Sequence, residues 1–146
     1  MRVRDDEGSA SLEFVTVGMI LLIPFVYLVL VMSAIQAGAL AAEGAARHAA
    51  RVFVQSRTVA AAEARAATAV EFALADHGVD VNRARVAVSC SPDPGNCLTR
   101  QGFVTVQVDL TVPLPLVSPV LSGSFPVSVP LRATATEQVS RFWGAG

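Results

Sequence analysis

The chain has 146 residues, of which 53% are hydrophobic, and a formal charge of −1 from eleven basic and twelve acidic side chains. Every basic residue is arginine, so cross-linking through a lysine isopeptide bond is excluded, and there is no basic stripe to favour a nucleic-acid partner. The length suits one domain plus a membrane segment.

Residues 1–8 form a short charged leader, with Arg2 and Arg4 against Asp5, Asp6 and Glu7, ending at Gly8. From Phe14 to Ile35 run 22 residues without a charge, fourteen of them Leu, Ile, Val or Phe. At ~1.5 Å per residue, such a helix covers roughly 33 Å, against a hydrocarbon core of ~30 Å. The large apolar side chains together favour insertion by about 6 kcal/mol. The run has no polar face, so a membrane helix explains it better than the core helix of a soluble domain. Pro24, near its middle, predicts a kink. The small residues Ala37-Gly38-Ala39 could end a secretory signal, which would give a secreted domain starting near Leu40. The apolar run is longer than the roughly 7–15 residues of such signals, and the leader is acidic as well as basic.

Glu13 is the fifth residue after Gly8, and no other charge follows until Glu43. A carboxylate at the lip of a bilayer is costly unless paired, so Glu13 is a candidate functional residue. Gly8 leaves the backbone open to a protease, since it has no side chain. The sequence Gly8-Ser9, then Glu13-Phe14 and a membrane helix, resembles the processing site of type IV-pilin-like precursors. It is similar in particular to the TadE/TadF-like pseudopilins of the Tad (Flp) pilus system. The wider layout, with an Ala-rich helix, a Cys pair and Val-rich strands, resembles that family too, although only residues 8–35 carry a specific motif. The resemblance implies cleavage after Gly8 by a prepilin peptidase on the cytoplasmic side. It also implies partnership with other Tad pilus subunits and the inner-membrane assembly platform. The partner expected for Glu13 is the α-amino group freed at Ser9, in the same or a neighbouring subunit; the plain alternative is that Glu13 reaches into the headgroups. A similar Glu71-Phe72 pair has Ala66 in the glycine position and no spanning run after it, and reads as ordinary amphipathic helix.

The remaining chain predicts a second helical stretch over 37–55, continuous with the first and rich in Ala, the best helix former. Gly38 and Gly44 loosen it. Its small residues suit packing either on its own domain or on neighbouring subunits. Ser56-Arg57-Thr58 marks a break. A further helix follows over 59–77, with an apolar stripe of Val59, Ala62, Ala66, Val70, Ala73 and Leu74, and Gly78 ends it. Three strands come next. Val86 and Val88 mark the first, and Val104, Val106, Val108, Leu110 and Val112 mark the second. Val127, Val129, Leu131, Ala133 and Ala135 mark the third, an edge strand because Pro126 and Pro130 break one side. The expected fold class is α+β, a small antiparallel sheet packed on the helix of 59–77. The Pro-broken linker, with Leu114, Leu116, Val120 and Leu121, either covers an open side of the core or awaits a partner. Trp143, the single tryptophan, belongs at the membrane interface or on the core.

Cys90 and Cys97 flank the turn-rich Ser-Pro-Asp-Pro-Gly-Asn, and the spacing fits a loop-closing disulfide outside the cytoplasm, with free thiols or a metal as alternatives. His48 and His77 fall on separate helices at no metal-binding spacing, and no nucleophile motif or phosphate-cradling loop is present. The sequence therefore predicts no enzyme, metal, cofactor, small-molecule substrate or nucleic acid. The expected organisation is a leader (1–8), a transmembrane helix (9–36), a helical extension (37–55) and an extracytoplasmic α+β domain (56–146). The expected role is a membrane-anchored pseudopilin, held in membrane lipid with its N-terminus cytoplasmic. An uncleaved single-pass protein with a partner-binding outer domain is the alternative.

Overall fold

A computed structural model describes the backbone of residues 7–116 and 128–144, and side chains from Ser11 within that range. Pro126, Val127, Val120, Leu121 and the charges of the leader lie outside the described residues. The order is helix α1 (Glu7–Val54), helix α2 (Val59–Ala75), a 3-10 turn (Val81–Arg83), then strands β1 (Ala84–Ser91), β2 (Phe103–Pro113) and β3 (Ser128–Gln138). The chain divides into two compact units, Met1–Ser33 and Ala34–Gly146.

In the first unit α1 is apolar, with Pro24 inside the helix, and its large side chains from Leu12 to Met32 are mostly exposed. In the second unit the same helix turns alanine-rich and buries one side. Ala41, Ala42, Ala45, Ala46, Ala49, Ala50 and Phe53 are all at most 1% exposed. The 37–55 stretch is therefore packed on its own domain, one of its two expected fates. Glu43, at the margin of the buried stripe, pairs with the exposed Arg47 one turn on.

Ser56 stops α1. Its amide donates to the Phe53 carbonyl (3.1 Å), its hydroxyl donates to the Val52 carbonyl (2.8 Å), and the residue is fully buried. Thr58 then caps α2, its side-chain oxygen accepting from the Ala61 amide at 3.2 Å. Along α2, Ala62, Ala66, Val70 and Leu74 are buried, while Val59 is 37% exposed and only begins the stripe. Gly78 takes a left-handed φ of 67°, which lets the Val79 amide return to the Leu74 carbonyl at 2.9 Å.

The sheet is antiparallel, in the order β1-β2-β3. The register sets Cys90, Val88, Val86 and Ala84 opposite Val104, Val106, Val108 and Leu110, and sets those in turn opposite Glu137, Ala135, Ala133 and Leu131. Strand alternation puts this whole set on one face. The central strand keeps the predicted pattern, with Val104, Val106 and Val108 fully buried and Thr105, Gln107 and Asp109 on the other face. β3 is an edge, as its prolines suggested, and Pro130 lies opposite Thr111.

The covering of the sheet differs from the expectation. The α1 stripe, the α2 stripe and the inner residues of β2 form one buried cluster, so α2 is not the only helix of the core. α1 comes close to the sheet at Gly38. A methyl built on Gly38 would overlap Val112 Cγ2 and come within 3.1 Å of Leu131 Cδ1. Ala39, Ala42 and Glu43 border β3 from Leu131 to Thr134. With the helix over β2 and β3, the inner face of β1 is thinly covered: Val86 and Val88 stay 44% and 39% exposed.

Trp143 also finds its place, and it is on the core. Its indole N–H donates to the Ser56 carbonyl at 3.0 Å, and Arg100 Nε donates to the Trp143 carbonyl at 2.9 Å. Val139 is buried, and its amide donates to the Gly102 carbonyl at 2.8 Å. The segment after β3 therefore closes the domain over the α1–α2 turn.

Candidate functional site

The expected processing residues Gly8, Ser9, Glu13 and Phe14 all lie on α1. Gly8 and Ser9 are helical, and the described part of α1 starts at Glu7. Ser9 stands one turn before Glu13, on the same side of the helix backbone. Glu13 is exposed, and Phe14 next to it is 81% exposed.

Beyond them the helix meets the demands of lipid. It is long and apolar enough to cross a membrane, and its most apolar window is wholly uncovered by the protein. Phe14, Ile20, Leu21, Ile23 and Phe25 are all more than 60% exposed. So large an apolar surface is stable only against lipid or another protein. The Thr16 hydroxyl donates to the Leu12 carbonyl at 2.7 Å, so the polar group is satisfied within the helix.

In the second unit Cys90 and Cys97 are joined, with their Cα atoms 5.1 Å apart. Inside the closed loop Asp93 Oδ1 accepts from the Gly95 amide at 2.9 Å, and just beyond it Leu98 tucks into the core. Constraining an eight-residue loop raises stability by about 2.5 kcal/mol in the chain-entropy treatment. The Cys90→Ser/Cys97→Ser double variant is therefore expected to unfold at lower denaturant, with ΔG reduced by about that amount. An unchanged denaturation midpoint would show that the bridge adds nothing.

The outer face of the sheet is polar. Arg132 Nε donates to Asp109 Oδ1 at 2.6 Å and Gln107 Nε2 donates to Oδ2 at 2.8 Å; Thr105 and Thr136 share a hydroxyl hydrogen bond of 2.9 Å. The Arg132 guanidinium first, and the Gln107 amide second, hold the Asp109 carboxyl below its ordinary range. His48 and His77 are exposed on different segments, and Phe72 of the Glu71-Phe72 pair projects from α2 at 67% exposure. Among the described residues, no three His, Cys, Asp or Glu side chains converge as a metal site would require. Two features were not singled out from sequence: the Ser56–Trp143 lock, and the arginines Arg83, Arg85 and Arg132 gathered at one end of the sheet. No protein-family model matches the chain, and neither a curated protein nor a solved structure matches it.

Proposed function

We propose that the chain is a membrane-anchored pseudopilin of the TadE/TadF-like kind, a minor subunit or assembly factor of a Tad-type pilus. One observation carries the reading. A long, uncovered apolar helix bears a single carboxylate near its start, Glu13, five residues after Gly8. In this reading a prepilin peptidase cuts after Gly8 and frees the α-amino group of Ser9. That group lies within one helical turn of Glu13 and can neutralise it, in the same chain or in a neighbour. Pro24 would kink the spanning helix, and the outer α+β domain, closed by its disulfide, would stand on the far side of the membrane in a pilin-like arrangement. The disulfide supports that side because cytosolic thiols stay reduced.

Recovered from its native membrane fraction, the protein is expected to start at Ser9, as read by intact mass and N-terminal sequencing. Glu13→Gln is expected to be cut normally yet to give much less assembled pilus, since it removes the charge and not the cleavage bond. A start at Met1 would leave a plain single-pass anchor. Unchanged pilus yield in Glu13→Gln would remove the role given to that carboxylate.

A further inference from the structure

The arginines at one end of the sheet stand close to where the membrane run ends. Ala34 and Gly38 of α1 line a cleft together with Asp80, Arg83, Thr111 and Pro113. Arg83 also borders a second cleft, which holds Asn82, Arg85, Asp109 and Arg132. Arg85 and Arg132 flank Asp109 in one row across the three strands, on the outer face. Three guanidiniums thus stand around two carboxylates, and both carboxylates are already engaged within the protein. Asp109 accepts from Arg132 and Gln107, and Asp80 accepts from the Asn82 amide and side chain at 2.9 Å. Among the described residues Arg83 and Arg85 form no ion pair.

Their depth follows from the same unit of the structure. Ala34 and Ile35 close the apolar run. Gly38 lies only ~4.5 Å further along the helix, at the rise of an α-helix. Val112 and Leu131 pack alongside Gly38, and Arg132 is the residue after Leu131. The headgroup layer of each leaflet is roughly 5–8 Å thick, and an arginine stem can carry its charge back to such a layer. Guanidinium pairs phosphate in a bidentate, charge-assisted way.

We propose that the sheet end carrying Arg83, Arg85 and Arg132 seats on the anionic phospholipid headgroups of the bilayer that α1 crosses. The proposal rests on α1 spanning the membrane and is independent of processing at Gly8. It is tested on the full chain in nanodiscs of phosphatidylcholine alone or mixed with phosphatidylglycerol. The thermal midpoint of the outer domain is expected to lie a few degrees higher in the anionic discs at low salt, because a ligand that binds the folded form raises it. High salt is expected to erase the difference. Arg83→Gln/Arg85→Gln, which leaves the Asp109–Arg132 pair in place, is expected to keep the wild-type midpoint in neutral discs and lose the rise in anionic ones. The exposed pair Arg57→Gln/Arg65→Gln is expected to retain the rise. Equal midpoints in the two lipids, or a rise that survives Arg83→Gln/Arg85→Gln, would overturn the proposal. So would an equal rise with inorganic phosphate added to neutral discs, which would assign the site to free phosphate. Failure of the chain to remain in either disc would instead overturn the membrane-spanning reading, and the headgroup contact with it.

Discussion

Gly38→Val is expected to destabilise the α+β unit by about 3 kcal/mol, at the upper end of what overpacking a closed core costs. The first added carbon already overlaps Val112 Cγ2 and crowds Leu131 Cδ1, and the branch of valine adds two more. Neither neighbour can easily yield, because Val112 is buried and both lie on paired strands. Helix propensity acts the other way, since leaving glycine gains up to ~1 kcal/mol in a helix interior, but a strand would have to shift to make room. Gly44 gives the matched control. It lies two turns on in the same helix, and a methyl there meets nothing within 4 Å. Gly44→Ala is therefore expected to stabilise by about 0.5–1 kcal/mol. Chemical denaturation of the two full-length variants in detergent, followed by circular dichroism, reads both. Equal midpoints would mean that α1 does not press on the sheet at Gly38.

The second large effect is expected at Phe53. Phe53→Ala removes the largest fully buried side chain among the described residues and is expected to cost about 3–5 kcal/mol, the transfer loss of a ring plus the cavity it leaves. The surroundings cannot refill the space cheaply, because the helix around Phe53 supplies mainly alanine to the core. Phe72→Ala, at 67% exposure, removes the same atoms from the surface of α2 and is expected to change stability by no more than about 0.5 kcal/mol. Against a total stability of about 5–15 kcal/mol for a domain of this kind, the first change removes a large share and the second is neutral. If denaturation showed equal costs, Phe53 would not be the anchor of this core.

Much of this architecture is legible in the residues. The apolar run, the stop at Ser56, the cap at Thr58, the left-handed Gly78 and the alternation of β2 are local patterns with local causes. The Cys90–Cys97 bridge is also local, spanning a turn rich in proline and glycine. What escapes is contact between segments distant in sequence. Gly38 reads as a weak point in an alanine-rich helix until Val112 is seen against it. A glycine flanked at helical spacing by Ala34, Ala41 and Ala45 was the available sign of a close approach. Val86 and Val88 alternate as well as the valines of β2, yet they stay half exposed, because alternation gives a face and not what covers it. Trp143 offered no pattern, since its acceptor is the Ser56 carbonyl. The arginine row needed the strand register, which brings Arg85 and Arg132 to either side of Asp109. The candidate processing residues Gly8, Ser9, Glu13 and Phe14 lie within seven positions, so their proposed role rests on the sequence motif and not on contacts between distant segments.

The lock between Ser56 and Trp143 joins groups 87 residues apart, and it bears on the timing of folding. The α1–α2 turn is made early in synthesis, whereas the segment that seals it comes after β3. A closure this long in sequence pays its loop entropy before the contact returns anything, which makes it a late step. The α1–α2 turn at Ser56 therefore stays unsealed until β3 and the segment beyond it have arrived. Sealing of that turn waits for synthesis to reach Trp143, and until then the α1–α2 hairpin has to hold without it.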